Sequence, residues 1–286
     1  MNLSLRTPEP LRTVVVEVAN VCNFECPQCA YHHPDSGMEF LEVGRFDTIA
    51  LGSSLAGAER IRFLGLCEPT LHPEFDQMLA ICHQRGLKSH VISNGSFVFR
   101  ESARRRLLVG ASELEVSIDA ADPETYSLVR GKSPRYFLRL VEALRRFFRE
   151  NHGRFGSITV SFVQHGVPSD EEFRRFSQEW EPYVDTVRLR TGHSFNGRSR
   201  LALSRTLFAG SRAGSDRLAC GFHHDRLFVD RGGFANICNL DAQCGLGPIF
   251  EPHDISRVWE GQLRMSMLAS NLEGRCSDCE QCSGLG

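Results

Sequence analysis

Lysine is almost missing from this chain: Lys88 and Lys132 are the two lysines among 33 basic residues, and all the others are arginine. Genomic base composition alone produces such a bias, so it carries little functional weight. Long blocks of one charge sign are also missing, and 33 basic against 35 acidic residues leave a net charge of −2. The electrostatic footprint of a nucleic-acid binder is therefore absent. No apolar run approaches the ~18 residues of a membrane span, and the N-terminus lacks the basic-then-apolar pattern of a secretion signal. A cytoplasmic protein without a membrane partner is expected. Internal repeats and low-complexity tracts are lacking as well. With 286 residues, 41% hydrophobic and 24% charged, the chain suits one large domain, or a domain plus a smaller module.

One more absence organises the rest: no cysteine lies between Cys82 and Cys220, although the chain has 11. Cytosolic thiols are kept reduced, so a count this high points to metal or redox chemistry rather than disulfides. Cys22, Cys26 and Cys29 form one group, Cys67 and Cys82 occur singly, and Cys220, Cys238, Cys244, Cys276, Cys279 and Cys282 form a second group. Two cysteine-bearing sites joined by a cysteine-free middle are the pattern to explain.

The middle alternates short β-rich runs with amphipathic segments, as βα units of a parallel sheet do. Strands are expected at Thr13–Val18, Arg60–Gly65, Lys88–Ser93, Glu113–Ile118, Ile158–Val163 and Thr186–Leu189. Helical spacing marks Phe75–Arg85, Tyr136–Asn151, with Ser133-Pro134 as its start, and Asp170–Trp180. After Leu189 a Gly-, Ser- and Arg-rich stretch reads as a linker or substrate-facing loop. A second module is expected from about Cys220, with a hairpin of Arg226–Val229 and Phe234–Cys238 and a helix around Ile255–Leu268.

Three thiolates at CxxxCxxC spacing in a loop leaving a strand can converge on one iron–sulfur cluster and leave one iron without a protein ligand. A zinc site completed by His32 or His33 is the alternative on this motif alone. The segments that follow add weight. Gly65-Leu66-Cys67-Glu68-Pro69 follows the second strand, Ser93-Asn94-Gly95 the third, and Ser117-Ile118-Asp119 the fourth, with Asp122-Pro123-Glu124-Thr125-Tyr126 leading on to Arg130-Gly131.

In this order the pieces resemble the radical S-adenosylmethionine (radical SAM) superfamily. The resemblance implies a partial (β/α)6 barrel over residues 1–200 and, from the tail cysteines, a small SPASM/twitch-type iron–sulfur extension over residues 201–286. It implies a [4Fe–4S] cluster on Cys22, Cys26 and Cys29 that binds SAM. Glu68 is carried over as the contact to the SAM amino group, and Ser93, Asn94, Ser117 and Asp119 as lining its ribose and methionine. Arg130 is carried over as a carboxylate partner, and Ser161 to Gln164 as passing near the adenine. Two positions depart from the family pattern: Gln28 replaces an apolar residue before the third cysteine, and Leu66-Cys67 stands where a second glycine is usual.

The tail resembles the twitch form, implying a second, auxiliary [4Fe–4S] cluster on Cys220, Cys238, Cys276 and Cys279, with Cys282 competing as fourth ligand. Cys82 is expected in the core, and Cys67 as packing beside the SAM site. Cys244, six residues after Cys238 on a Gly-rich connection, is a spare thiol, with a buried or ligating role standing beside a catalytic one. The layout is similar to family members of aminoglycoside biosynthesis, 2-deoxy-scyllo-inosamine dehydrogenases and neomycin C epimerases. That implies hydrogen-atom abstraction from a carbon of a polar small molecule. Epimerisation with Cys244 as hydrogen donor is favoured, and oxidation to a ketone with the auxiliary cluster as electron acceptor is the alternative. A one-electron reductant such as flavodoxin or ferredoxin is the implied partner. No recognition domain for a peptide leader is apparent, which disfavours peptide modification. The competing class is a zinc-stabilised binding module without catalysis.

Overall fold

The structure is a computed structural model that describes residues 9–30, 37–164, 170–191, 222–238 and 245–269. Six parallel strands form as the apolar runs lead one to expect: β1 (Thr13–Val16), β2 (Arg60–Phe63), β3 (Lys88–Ser93), β4 (Glu113–Ser117), β5 (Ser157–Gln164) and β6 (Thr186–Thr191). They lie in the order β6-β5-β4-β3-β2-β1. Helices α1 (Val43–Leu55), α2 (Phe75–Gln84), α3 (Glu101–Gly110), α4 (Pro123–Arg130), α5 (Pro134–Asn151) and α6 (Asp170–Trp180) alternate with them. This is the α/β architecture of a partial barrel. Beyond β1 the sheet continues through β7 (Arg226–Val229), parallel to β1, then antiparallel β8 (Phe234–Asn236) and β9 (Gly245–Pro248). The C-terminal extension therefore shares a sheet with the barrel, and the expected boundary at residue 200 falls outside the described residues.

Side chains alternate across a strand, so one sheet has two chemistries. Val14, Val16, Ile61, Phe63, Val91, Leu114, Val116, Ile158, Val160 and Phe162 join Phe46, Phe75, Phe97, Phe148, Phe176 and Trp180 in a continuous apolar core. The alternate positions on the other face are also buried but mixed: Val15, Ile92 and Phe228 are apolar, whereas Arg62, His90, Glu115, Thr159 and Ser161 are polar. That face lines the inside of the sheet's curve.

Several expected boundaries move for local reasons. β1 stops at Val16 and β2 at Phe63, two residues early, which releases Glu17 and Gly65 into loops at the strand ends. β6 runs on to Thr191, so Arg190 stands on a strand. The helix expected at Ile255–Leu268 is two pieces, Asp254–Trp259 and Gln262–Ala269, interrupted at Glu260 and Gly261. Arg264 bridges the break: its Nη1 donates to the Trp259 carbonyl at 2.9 Å and its guanidinium covers the Trp259 ring, satisfying a helix-end acceptor. No helix among the described residues is long and apolar enough to cross a membrane.

Helix α5 shows how the core is anchored. Ser133 Oγ accepts from the Tyr136 amide at 3.2 Å and Pro134 opens the first turn, while Phe137, Leu140, Leu144, Phe147 and Phe148 are buried. Leu144→Ala is expected to cost about 2–5 kcal/mol by leaving a cavity there; urea denaturation of the two proteins checks it.

Candidate functional site

The loop leaving β1 carries Cys22, Cys26 and Cys29, none in a disulfide. It has little regular structure, yet other strand-end loops hold it at each step. Asn23 Nδ2 donates to Ser96 Oγ at 2.9 Å, and Asn94 Nδ2 reaches both Asn23 Oδ1 at 2.9 Å and Cys22 Sγ at 3.8 Å. Lys132 Nζ donates to the Asn23 carbonyl at 2.9 Å and stands over the Phe24 ring. Gly131 ends α4 at φ 68°, and a Cβ there would lie 3.0 Å from the Glu25 carbonyl. Both the left-handed backbone and the close approach call for glycine.

Glu68, 1% exposed, is one hub of this network. Its Oε1 accepts from Thr70 Oγ1 at 2.6 Å and Ser93 Oγ at 2.8 Å, and its Oε2 from the Asn94 amide at 2.7 Å. Its own amide donates to the Val21 carbonyl at 2.8 Å, which ties it to the cysteine loop. The loop before it is shaped by Glu17, whose Oε2 accepts from the Leu66 amide at 2.8 Å. A Cβ on Gly65 would come within 2.4 Å of that carboxylate, so the first glycine of the motif is fixed by packing. Arg231, in the turn between β7 and β8, links Glu17 at 3.2 Å to Glu39 at 2.8 Å. The extension therefore buttresses the loop that carries Glu68.

Asp119 is the second hub. It is the one non-glycine residue with positive φ, 64°, among the described residues, a conformation that asparagine and aspartate tolerate best. Its Oδ2 accepts from Gln28 Nε2 at 2.7 Å and Arg130 Nη1 at 3.0 Å, and its Oδ1 from the Val163 amide at 3.1 Å. Gln28, the departure from the family pattern, is thus the residue that fastens the cysteine loop to β4 and α4. The helix caps explain Arg130's position: Asp122 Oδ1 accepts from the Thr125 amide at 2.8 Å at the start of α4, and Gly131 stops it one residue after Arg130. Ser117 and Ser161 meet across β4 and β5 with their hydroxyls 3.3 Å apart.

Burial, with Glu68 adding, pushes the Cys22 thiol up to about 12, and burial raises Cys26 against the pull of Arg130 and Lys132. Neutral thiols of this kind become thiolates when a cationic metal group binds them. The donor set fits such a group, because three undisulfided sulfurs share one braced loop, with buried Gln28 Oε1 and Arg130 Nε unpartnered beside it. Among the described residues no three His, Cys, Asp or Glu side chains converge as one metal ion requires. A cluster whose irons each take a separate thiolate makes no such demand. Burial, then Glu17 and Glu68, lifts Cys67 far above the usual thiol range, leaving it neutral. Cys82 is in the core, as expected.

The structure thus brings Cys22, Cys26, Cys29, Glu68, Ser93, Asn94, Asp119 and Arg130 to one end of the sheet, with Ser117 beside them. Cys238 is buried just past β8, whereas Cys220, Cys244, Cys276, Cys279 and Cys282, like His32 and His33, lie outside the described residues. Sequence reasoning passed over Glu17, Asn23, Thr70, Arg231 and Glu115. Glu17, Asn23, Arg231 and Glu115 act through partners distant in sequence, and Thr70 through Glu68 two residues before it, a pair that no spacing rule singles out.

Comparison with known proteins gives this geometry a family. Residues 16–177, more than half of the chain, match the radical SAM superfamily. The chain belongs to that superfamily. As a radical SAM enzyme it uses a [4Fe–4S] cluster and SAM. GTP 3′,8-cyclase of Mannheimia succiniciproducens is 27% identical over 165 residues, 56% of this chain and 47% of that protein. The chain spans about half the length of the curated relatives it matches. In fold, Streptococcus suis SuiB bound to precursor peptide SuiA is similar with TM-score 0.71 and 14% identity, covering 96% of this chain and 70% of that one. BtrN in complex with AdoMet and 2-DOIA is similar with TM-score 0.61 and 16% identity, covering 97% and 95%. These likenesses show the fold, including the extension.

Asp119→Asn leaves the buried Arg130 without its counter-charge. A loss of about 3–5 kcal/mol is expected by guanidinium denaturation, and Gly131→Ala, which forces a Cβ into the left-handed region, is expected to cost about 1–2 kcal/mol in the same assay.

Proposed function

We propose that this radical SAM enzyme acts on a polar, sugar-like small molecule, taking a hydrogen atom from one carbon and epimerising it with Cys244 as the hydrogen donor. The observation that carries the radical half of this reading is the braced CxxxCxxC loop. The loop is held by Glu68, Asn94 and Asp119 just past β2, β3 and β4, the end of a parallel sheet where α/β barrels place their sites. Cys22, Cys26 and Cys29 would supply three thiolates, one fewer than the irons of the cluster, and the SAM amino and carboxylate groups are assigned to the remaining iron. When bound, the cluster and SAM supply a 5′-deoxyadenosyl radical able to break an unactivated C–H bond.

The protein's part is to position and exclude. Glu68, already oriented by Thr70, Ser93 and the Asn94 amide, is assigned to the SAM amino group, and Asn94 braces Cys22. Asp119 has its oxygens engaged by Gln28, Arg130 and Val163, so we assign it to fixing the loop as well as bordering SAM. Ser117 and Ser161 border the ribose and adenine. The polar residues on the inner face of the sheet suit a hydrophilic substrate. Cys238, with Cys220, Cys276 and Cys279, is assigned to an auxiliary [4Fe–4S] cluster, and a ferredoxin or flavodoxin to electron supply. Cys244 follows Cys238 closely enough in sequence for its thiol to reach the same region.

Anaerobic reconstitution is expected to give brown protein with roughly eight irons per chain that cleaves SAM under dithionite. A colourless protein with stoichiometric zinc and no cleavage would instead indicate a binding module. In deuterated water, an inverted product carrying deuterium, lost in Cys244→Ala while deoxyadenosine still forms, is the expected signature of epimerisation. A ketone product from wild type would replace the epimerase reading with the dehydrogenase one.

A further inference from the structure

We propose that Arg62, Arg188 and Arg190, gathered around Glu115 on the inner face of the sheet, bind an oxyanion, carboxylate or phosphate, carried by the substrate. The proposal rests on the reading of that face as the substrate side of a radical SAM barrel, and it narrows the substrate class.

Glu115 is fully buried, and the three arginines reach it from two other strands. Arg62 Nη2 of β2 lies 3.3 Å from Oε2, Arg188 Nη1 of β6 lies 3.0 Å from the same oxygen, and Arg190 Nε lies 3.0 Å from Oε1. His90 joins at 3.4 Å, but burial holds it below its usual value, so it adds little charge. Three guanidiniums therefore share one carboxylate. The neighbouring pair Arg60 and Glu113 is balanced at 3.4 Å, and Arg226 has Asp225 at 3.1 Å, so the surplus positive charge sits at the Glu115 cluster. Burial, reinforced by Arg190, Arg226 and Arg188 and opposed by Glu115, pulls Arg62 below the usual arginine value.

A network built only to hold strands together would be expected to pair its charges and fill its donors. This one does neither. Arg62 is 6% exposed and its Nε has no hydrogen-bond partner among the described residues. Arg188 and Arg190 keep 41% and 25% of their side chains exposed, so a ligand can reach them. Guanidiniums are forks suited to bidentate binding of carboxylate and phosphate. Glu115 acts as a resident counter-ion that keeps the forks extended inward before the ligand arrives.

The position suits a substrate. Arg188 pairs in register with Ser161, which pairs with Ser117, so its backbone stands in the layer expected to border SAM. Glu115 lies two residues earlier on β4, about 7 Å deeper. An anionic group held there would leave the rest of a small molecule pointing toward the cysteine loop. The same surplus repels a polycationic aminoglycoside, so the favoured substrates are sugar phosphates or sugar acids.

The test is isothermal titration of the reconstituted, SAM-loaded protein with inorganic phosphate and, separately, malonate. Saturable binding of at least one is expected, phosphate alone indicating a phosphate ester and malonate alone a carboxylate. Arg188→Gln and Arg190→Gln are each expected to weaken it about tenfold. Glu115→Gln, which frees donors and raises the net charge, is expected to tighten it several-fold. A purely structural network predicts no tightening. No saturable binding by wild type, equal binding in the two arginine variants, or a folded Glu115→Gln that binds no tighter overturns the subsite. If circular dichroism shows Glu115→Gln unfolded, the variants of the partly exposed Arg188 and Arg190 decide alone. SAM cleavage by wild type is scored separately: cleavage without anion binding removes the subsite and leaves the enzyme reading, and no cleavage removes the enzyme reading itself.

Discussion

The buried carboxylate of Asp119 stands where the cysteine loop, the end of β4, α4 and β5 meet, and it gives each of them a hydrogen bond or the turn it needs. A buried charge persists only when it is paired and hydrogen-bonded. Arg130 supplies the pairing, and Gln28 and the Val163 amide complete the acceptors. The consequence reaches the chemistry, because Gln28 lies between Cys26 and Cys29 and the eight-residue motif Cys22–Cys29, without helix or strand of its own, takes its shape from this anchor. Glu68 does the same on the other side, joining β2, β3 and the residue before Cys22. Two carboxylates therefore replace the helix or strand that would otherwise stiffen the loop.

The sheet divides its labour by face. One side is an apolar layer of valines, leucines, isoleucines and phenylalanines against helices, which supplies the stability that buried charges consume. The other side carries Arg62, His90, Glu115, Arg188 and Arg190 in the interior of the curve. The antiparallel extension adds to the same sheet beside β1, and through Arg231 and Glu17 it supports the loop that presents Glu68. Barrel and extension are thus coupled mechanically as well as by sequence order.

Much of this was legible beforehand because it is local. Runs such as Thr13-Val14-Val15-Val16 announced strands, and Ser133-Pro134 announced the start of α5. The cysteine spacing and the strand-end motifs named the superfamily that residues 16–177 match. What was illegible is non-local. A strand reading Arg60-Ile61-Arg62-Phe63 alternates polar and apolar whether its polar side meets solvent or the inside of a barrel. Only the order and curvature of the strands turned Arg62 and Arg190 into neighbours of Glu115. Gln28 looked like a flaw in the motif until Asp119 came within 2.7 Å of it. The C-terminal helix was read as continuous because its apolar spacing carries across Gly261, whereas Arg264 folds back onto Trp259 there.

The central claim is that the loop of Cys22, Cys26 and Cys29 holds a cluster with one iron left for SAM. Electron paramagnetic resonance of the dithionite-reduced, reconstituted protein, recorded with and without SAM, tests it most directly. The account predicts that SAM shifts the g-values of one reduced cluster signal and that the shifting signal is missing when Cys26 is replaced by alanine. A reduced spectrum that SAM leaves unchanged in the wild-type protein would contradict it.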